Sequence, residues 1–172
     1  VVSLFFLSNS FAQKSHPADA YQIKQELKSL NFLGKVLYVA AHPDDENTGM
    51  IAYFANKYGA STAYLSLTRG DGGQNLIGPE LSEKLGVIRT QELLAARRID
   101  GGRQFFSKAI DFGYSKKASE TFDVWGKDRI LADVVEAFRR FQPDIVINRF
   151  DHRSRGKTHG HHTASAILSE EA

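Results

Sequence analysis

The sequence predicts an α/β domain in which a mostly parallel sheet carries helices on both faces. Three observations carry that prediction. From residue 35 onward, short apolar runs alternate with longer stretches of helical spacing. Histidines, acids and glycines gather directly behind those apolar runs, where open parallel sheets collect their ligands. The chain has 172 residues, 42% of them hydrophobic, enough for one ordinary core.

The elements follow in order. Residues 1–12 (VVSLFFLSNSFA) are an apolar run followed by small residues, with Ser10 and Ala12 at the −3 and −1 positions of a cleavage site. They are expected to be a signal peptide remnant whose basic start is absent, so the sequence begins inside its reading frame. With no cysteine there is no disulfide and no lipid-anchor thiol, and the expected location is periplasmic or secreted, with no membrane span in the mature protein. Residues 13–34 form a lead-in with a short helix over 22–30. The domain proper is expected over residues 35–172. Its elements are a strand at 35–41, a helix at 44–58 with Met50, Ile51, Phe54 and Ala55 on one side, and a strand at 61–67. A helix at 80–98 is followed by an additional strand and loop within 104–114 and a polar segment at 116–122. A helix at 128–141 carries Ile130, Leu131, Val134, Val135 and Phe138 on one stripe, and PDIVIN (143–148) reads as another buried strand. A last helix opens at HGHH (159–162).

A net charge of +2 with scattered lysines and arginines excludes a nucleic-acid or anionic-membrane surface. TRGDGGQN (68–75) lacks the lysine of a P-loop and the order of a dinucleotide fingerprint.

The chemistry concentrates in two places. HPDDE (42–46) leaves the first strand, and proline with acids also suits a plain helix start. His42 and Asp45 are three apart, so at a helix entry they can face one point while Asp44 is directed elsewhere. A histidine and a carboxylate make two metal ligands and leave a free carboxylate beside them. A catalytic zinc needs a third ligand. His159 and His162 in HGHH repeat the three-residue spacing at another strand end, and His161 could take the place of His162.

These residues resemble the LmbE-like, or PIG-L, family of metal-dependent N-acetylglucosamine deacetylases. AHPDDE (41–46) is similar to its most specific signature and HGHH to its second motif. TRGDGG and the Arg89/Glu92 pair (RTQE) resemble its glycine-acid loop and arginine-bearing helix. The resemblance implies a Rossmann-like fold and hydrolysis of the N-acetyl group of an N-acetylated amino-sugar glycoconjugate. It implies His42, Asp45 and His162 as ligands of Zn2+, or of another divalent metal such as Fe2+, with Asp44 as general base. His159, if protonated, becomes a second polar catalyst holding the oxyanion. Arg89 and Asp71 are implied as substrate-binding residues, although the family usually has glutamate where Asp71 stands. His152, Arg149 and Asp111 are candidates to line the pocket. Because the family domain continues with further elements, the chain is expected to be incomplete at its C-terminus. Three rivals stay open: an amidase of the family acting on another glucosamine conjugate, a sugar-binding domain without turnover, and a non-haem iron oxygenase built on the HxD of His42 and Asp44. The sequence does not read out an oligomeric state.

Overall fold

A computed structural model describes residues 18–153 and 158–172. The signal remnant expected at residues 1–12 lies outside them.

Alternating β-strands and α-helices build the chain: α1 (Ala20–Ser29), β1 (Lys35–Ala40), α2 (Thr48–Ala52, continued by π-helical turns over Tyr53–Tyr58), β2 (Ser61–Ser66) and α3 (Glu83–Asp100). There follow β3 (Arg103–Phe106), α4 (Ala118–Trp125), α5 (Lys127–Phe141), β4 (Ile145–Asn148) and α6 (Gly160–Glu171). The four strands are all parallel in the order β3-β2-β1-β4, so the predicted class holds. The sequence reverses its direction of travel across the sheet beside β1, the position where such sheets open a crevice.

β1 and β2 are central, and their side chains divide by the two-residue period. Leu37, Val39, Ala63 and Leu65 join Trp125, Ile130, Val134, Phe141 and Leu168 from α4, α5 and α6 in the larger core. Tyr38, Ala40 and Tyr64 pack on the opposite face against Ile51 of α2 and Leu93 of α3. Each such aliphatic side chain removed from water contributes about 1.5–3 kcal/mol. The two central strands thereby become the most rigid platform in the molecule, and their carboxyl ends carry the site.

Three expectations are corrected. The helix placed at 44–58 begins only at Thr48, capped by the Asn47 side chain, because Asp44 sits at φ 92°, outside any right-handed helix. Pro43 therefore occupies a turn and does not start the helix. The polar segment at 116–122 is largely helix: α4 exposes Ser119, Glu120, Asp123 and Val124 while burying Thr121 and Trp125. The strand and loop expected within 104–114 are present, the strand being the four residues Arg103–Phe106. PDIVIN supplies a strand, but β4 is the edge of the sheet among the described residues, with Ile145 52% and Val146 37% exposed.

Candidate metal centre

Beyond Ala40 the backbone of β1 is held one step further by the Thr68 amide and hydroxyl, both donating to the Ala41 carbonyl oxygen at 2.8 and 3.0 Å. The chain then turns sharply. The Asp45 carboxylate accepts the His42 amide proton at 2.8 Å, and the Tyr64 hydroxyl donates to the His42 carbonyl oxygen at 2.5 Å. This turn fixes both His42 and Asp45 over the end of the sheet. α6 approaches from the other direction, its first turn capped by the His159 ring, whose Nδ1 accepts the His161 amide proton at 3.1 Å.

Four histidines meet there. His42 Nδ1 lies 3.2 Å from Asp45 Oδ2, and His162 Nε2 lies 3.6 Å from Asp45 Oδ1. The potential ligand atoms of His42, Asp45 and His162 all fall within 4.8 Å of one another. Their opposite ring nitrogens are anchored: His42 Nε2 is 2.9 Å from His161 Nδ1, and His162 Nδ1 is 2.8 Å from Thr158 Oγ1. Phe150 stacks on His162 with ring centroids 3.7 Å apart. Outer partners of this kind orient metal-binding imidazoles. A second set, His42, His159 and His161, satisfies the same distance limit. The two candidates take different places: His162 meets Asp45, whereas His161, a member of the second set, turns inward to Trp125 and Phe112.

Electrostatics favours neutral rings. Burial, and then the neighbouring His42 and His159, push His161 down to about 2. Burial pushes His162 down to about 4 against the opposing pull of Asp45, and burial followed by His42 lowers His159. A neutral imidazole offers a lone pair, the form a metal requires. The donor set of two nitrogens and a carboxylate oxygen fits zinc and other first-row divalent ions. Because His159 is disfavoured as a cation and its Nδ1 already accepts a backbone proton, its own proton resides on Nε2. It can donate a hydrogen bond without the extra charge expected from sequence.

The remaining candidates are placed as follows. Asp44 stands at the rim, its side chain 69% exposed, and Arg89 Nη2 donates both to its Oδ2 and to the Pro43 carbonyl oxygen at 2.7 Å. Asp44, Arg89 and Glu92 line a hollow of about 380 Å³ whose lip includes Leu76 and Ile77, both more than 90% exposed. Asp71 Oδ1 accepts the Asp111 amide proton at 3.3 Å and borders a separate cavity of about 480 Å³. Asp111 is buried, with Oδ1 3.8 Å from His161 Nδ1. His152 instead stands beside Asp151 and Glu170, and Arg149 lies against Phe150 and Tyr38. Phe150 and Tyr64 escaped sequence reasoning because each acts on a residue brought to it by tertiary contact, and Thr158 because its bond to His162, four residues on, has no sequence signature.

Fold and site together define a class of α/β proteins that carry a histidine-carboxylate cluster at the carboxyl ends of a parallel sheet. Residues 37–172 match the family model described as PIG-L, GlcNAc-PI de-N-acetylase, and the chain belongs to that family. It is 31% identical to the 1D-myo-inositol 2-acetamido-2-deoxy-alpha-D-glucopyranoside deacetylase of Kineococcus radiotolerans, over 71% of this chain and 41% of that protein. It is 30% identical to the protein of the same name from Corynebacterium urealyticum, over 66% of this chain and 40% of that one. The chain thus spans about four tenths of the length of these curated relatives. Among solved structures it resembles N,N'-diacetylchitobiose deacetylase from Pyrococcus horikoshii, with TM-score 0.62 and 22% identity over 85% of this chain and 51% of the other. It also resembles GalB, the 4-carboxy-2-hydroxymuconate hydratase from Pseudomonas putida, with TM-score 0.61 and 23% identity over 81% and 55%. These likenesses show the fold alone.

Proposed function

We propose that this chain is the hydrolytic part of an N-deacetylase that removes the acetyl group from N-acetylglucosamine-containing glycoconjugates. Family membership and the names of its relatives support the reaction class. The observation that carries the reading is the convergence of His42 and Asp45 from the end of β1 with His162 from α6, beside the exposed carboxylate of Asp44.

His42, Asp45 and His162 would hold a divalent ion, with zinc preferred and Fe2+ the alternative. Such an ion supplies Lewis acidity, lowering the pKa of water toward about 7 and polarising an amide carbonyl. Asp44 takes a proton from the attacking water and returns it to the amine nitrogen as the C–N bond breaks, so acetate and a free amine leave. The His159 Nε2–H donates to the oxygen that becomes negative when the carbonyl carbon turns tetrahedral, an interaction typically worth a few kcal/mol. Arg89 holds the Asp44 carboxylate at the rim and faces the sugar, whereas Asp71 borders a different cavity.

The oxygenase reading needs Asp44 as a ligand beside His42, yet Asp44 Oδ2 is engaged by Arg89 while Asp45 turns to the histidines. Export to the periplasm or medium is proposed from residues 1–12, together with a domain boundary near residue 35. Among the described residues no helix is long and apolar enough to cross a membrane.

Metal content and acetate release test the assignment together. His42→Ala, Asp45→Ala and His162→Ala are expected to lose the metal, whereas Asp44→Ala keeps it and loses turnover by at least about 100-fold. Metal loss in Asp44→Ala with retention in Asp45→Ala would reverse the roles. Sugar binding without acetate release by the native protein would favour the non-catalytic rival.

A further inference from the structure

Glu46 ends the HPDDE motif, and neither the metal centre nor the proton transfers use it. Its side chain is only 7% exposed although it follows two residues at the rim. A buried carboxylate needs a reason, because desolvation penalises the charge unless hydrogen bonds replace the lost water.

The evident reason would be an ion pair with Arg97, whose Nη2 lies 3.6 Å from Glu46 Oε1. Three of the five N–H donors of Arg97 are directed elsewhere. Its Nε donates to both Asp100 oxygens at 3.1 and 3.0 Å, its Nη2 to Asp100 Oδ2 at 2.5 Å, and its Nη1 to Gln104 Oε1 at 3.2 Å. At 3.6 Å the contact with Glu46 exceeds hydrogen-bond reach and adds only charge proximity. The hydrogen bond that Glu46 does make points the other way: its Oε2 accepts the backbone N–H of Asp44 at 2.9 Å.

That amide belongs to a strained residue. Asp44 has φ 92°, one of three non-glycine residues with positive φ among those described. Such a conformation costs about 1–3 kcal/mol and persists only where surrounding contacts impose it. The φ angle of Asp44 also decides which way its carboxylate leaves the turn. In the right-handed region the side chain would swing off the rim, and Arg89 could no longer hold both the Pro43 carbonyl and the carboxylate.

We propose that Glu46 is the positioning residue of the general base: its carboxylate, accepting the Asp44 amide proton, holds the Asp44 backbone left-handed and so keeps the Asp44 carboxylate at the rim, where Arg89 meets it. Arg97 and Asp100 form the rigid floor against which Glu46 is braced. The role in turnover rests on the reading of Asp44 as the base, whereas the backbone restraint stands without it.

Two variants separate the hydrogen bond from the charge. Glu46→Gln keeps an oxygen that can accept the Asp44 proton and loses the charge beside Arg97; Glu46→Ala loses both. Hydrogen exchange at the Asp44 amide is measured alongside zinc content and acetate release from N,N'-diacetylchitobiose. In Glu46→Ala the Asp44 amide is expected to exchange at least about 10-fold faster while core amides of β1 and β2 stay protected. Bound zinc stays unchanged, and kcat falls about 10- to 100-fold with KM within about 2-fold, the scale of a misplaced catalytic group. Glu46→Gln is expected to stay within about 3-fold of the native protein in exchange and in kcat. The proposal is overturned if Gln fails as badly as Ala, if Ala leaves the Asp44 amide protected, or if Ala loses zinc and core protection together. Should the native chain release no acetate, the proposed function fails, and the exchange comparison still decides the restraint.

Discussion

At the scale of single residues, the rings proposed as ligands, His42 and His162, each have their far side fixed. His162 is held between the Phe150 ring and the Thr158 hydroxyl, with Nδ1 committed so that Nε2 faces Asp45. Removing that hydroxyl in Thr158→Val leaves the ring in place by stacking but frees its rotation and tautomer. Zinc affinity is expected to fall about 10- to 100-fold, the usual consequence of losing an outer partner. A competition titration against a chelator measures it, and unchanged affinity would show that Phe150 alone suffices. His42 and Asp45 were legible as a pair facing one point because a three-residue spacing is a local property, whereas spacing alone leaves His161 and His162 as alternatives, and the full set of His42, Asp45 and His162 comes from the family resemblance. Thr158 was not legible as an anchor: threonine next to a histidine motif has no signature until the helix places it. Asp44 was legible as a free carboxylate, but its left-handed backbone was not, since acids and proline suit a helix start equally well.

At the scale of elements, α6 carries His161 and His162 and is capped by His159, so its seat against α4 decides whether the cluster forms. Gly160 makes that seat. A Cβ there would stand 2.5 Å from the Lys117 carbonyl oxygen and against the Ser115 hydroxyl, which also bonds Thr121, and the Gly160 amide donates to the Ser115 carbonyl oxygen at 2.8 Å. Helix propensity alone would make Gly160→Ala stabilising by up to about 1 kcal/mol. Forcing a methyl group into closed packing costs about 1–3 kcal/mol, and with backbone as the obstacle the steric term wins. Thermal unfolding should show a lower Tm with weakened zinc binding; a raised Tm would mean that α4 yields. The same contact explains why sequence reading took this region for a polar segment. α4 is eight residues long and buries only Thr121 and Trp125, too few turns for a periodic apolar stripe to stand out. The long helices α3 and α5 and the central strands had stripes or runs long enough to read, and β4 was recognised by its apolar run but not as an edge.

At the scale of the whole molecule, the centre joins parts of the chain that are 120 residues apart in sequence, so metal, protons and folding are linked. An ion that binds only the folded chain adds about 2.7 kcal/mol of stability at 100 times its Kd. For a domain of this size that amounts to a rise in Tm of roughly 5–11 °C, at 2–4 °C per kcal/mol. Protons act against it. In the folded metal-free chain His161 titrates only at about 2 and His162 at about 4, both below the ordinary 6.5 because they are buried. The unfolded chain therefore takes up protons first as pH falls. Stability from these two rings is complete above about pH 6.5. It is lost progressively below that, down to about 4 for His162 and about 2 for His161, by at most about 1.4 kcal/mol per pH unit for each ring. Urea unfolding in the presence of a chelator at pH 7, 6 and 5 should show a falling midpoint with an unchanged m-value. With zinc the loss should be steeper, because protons then also compete for the nitrogens that hold the ion. A metal-free midpoint constant across that range would mean that the histidine cluster opens to water and accepts protons without unfolding.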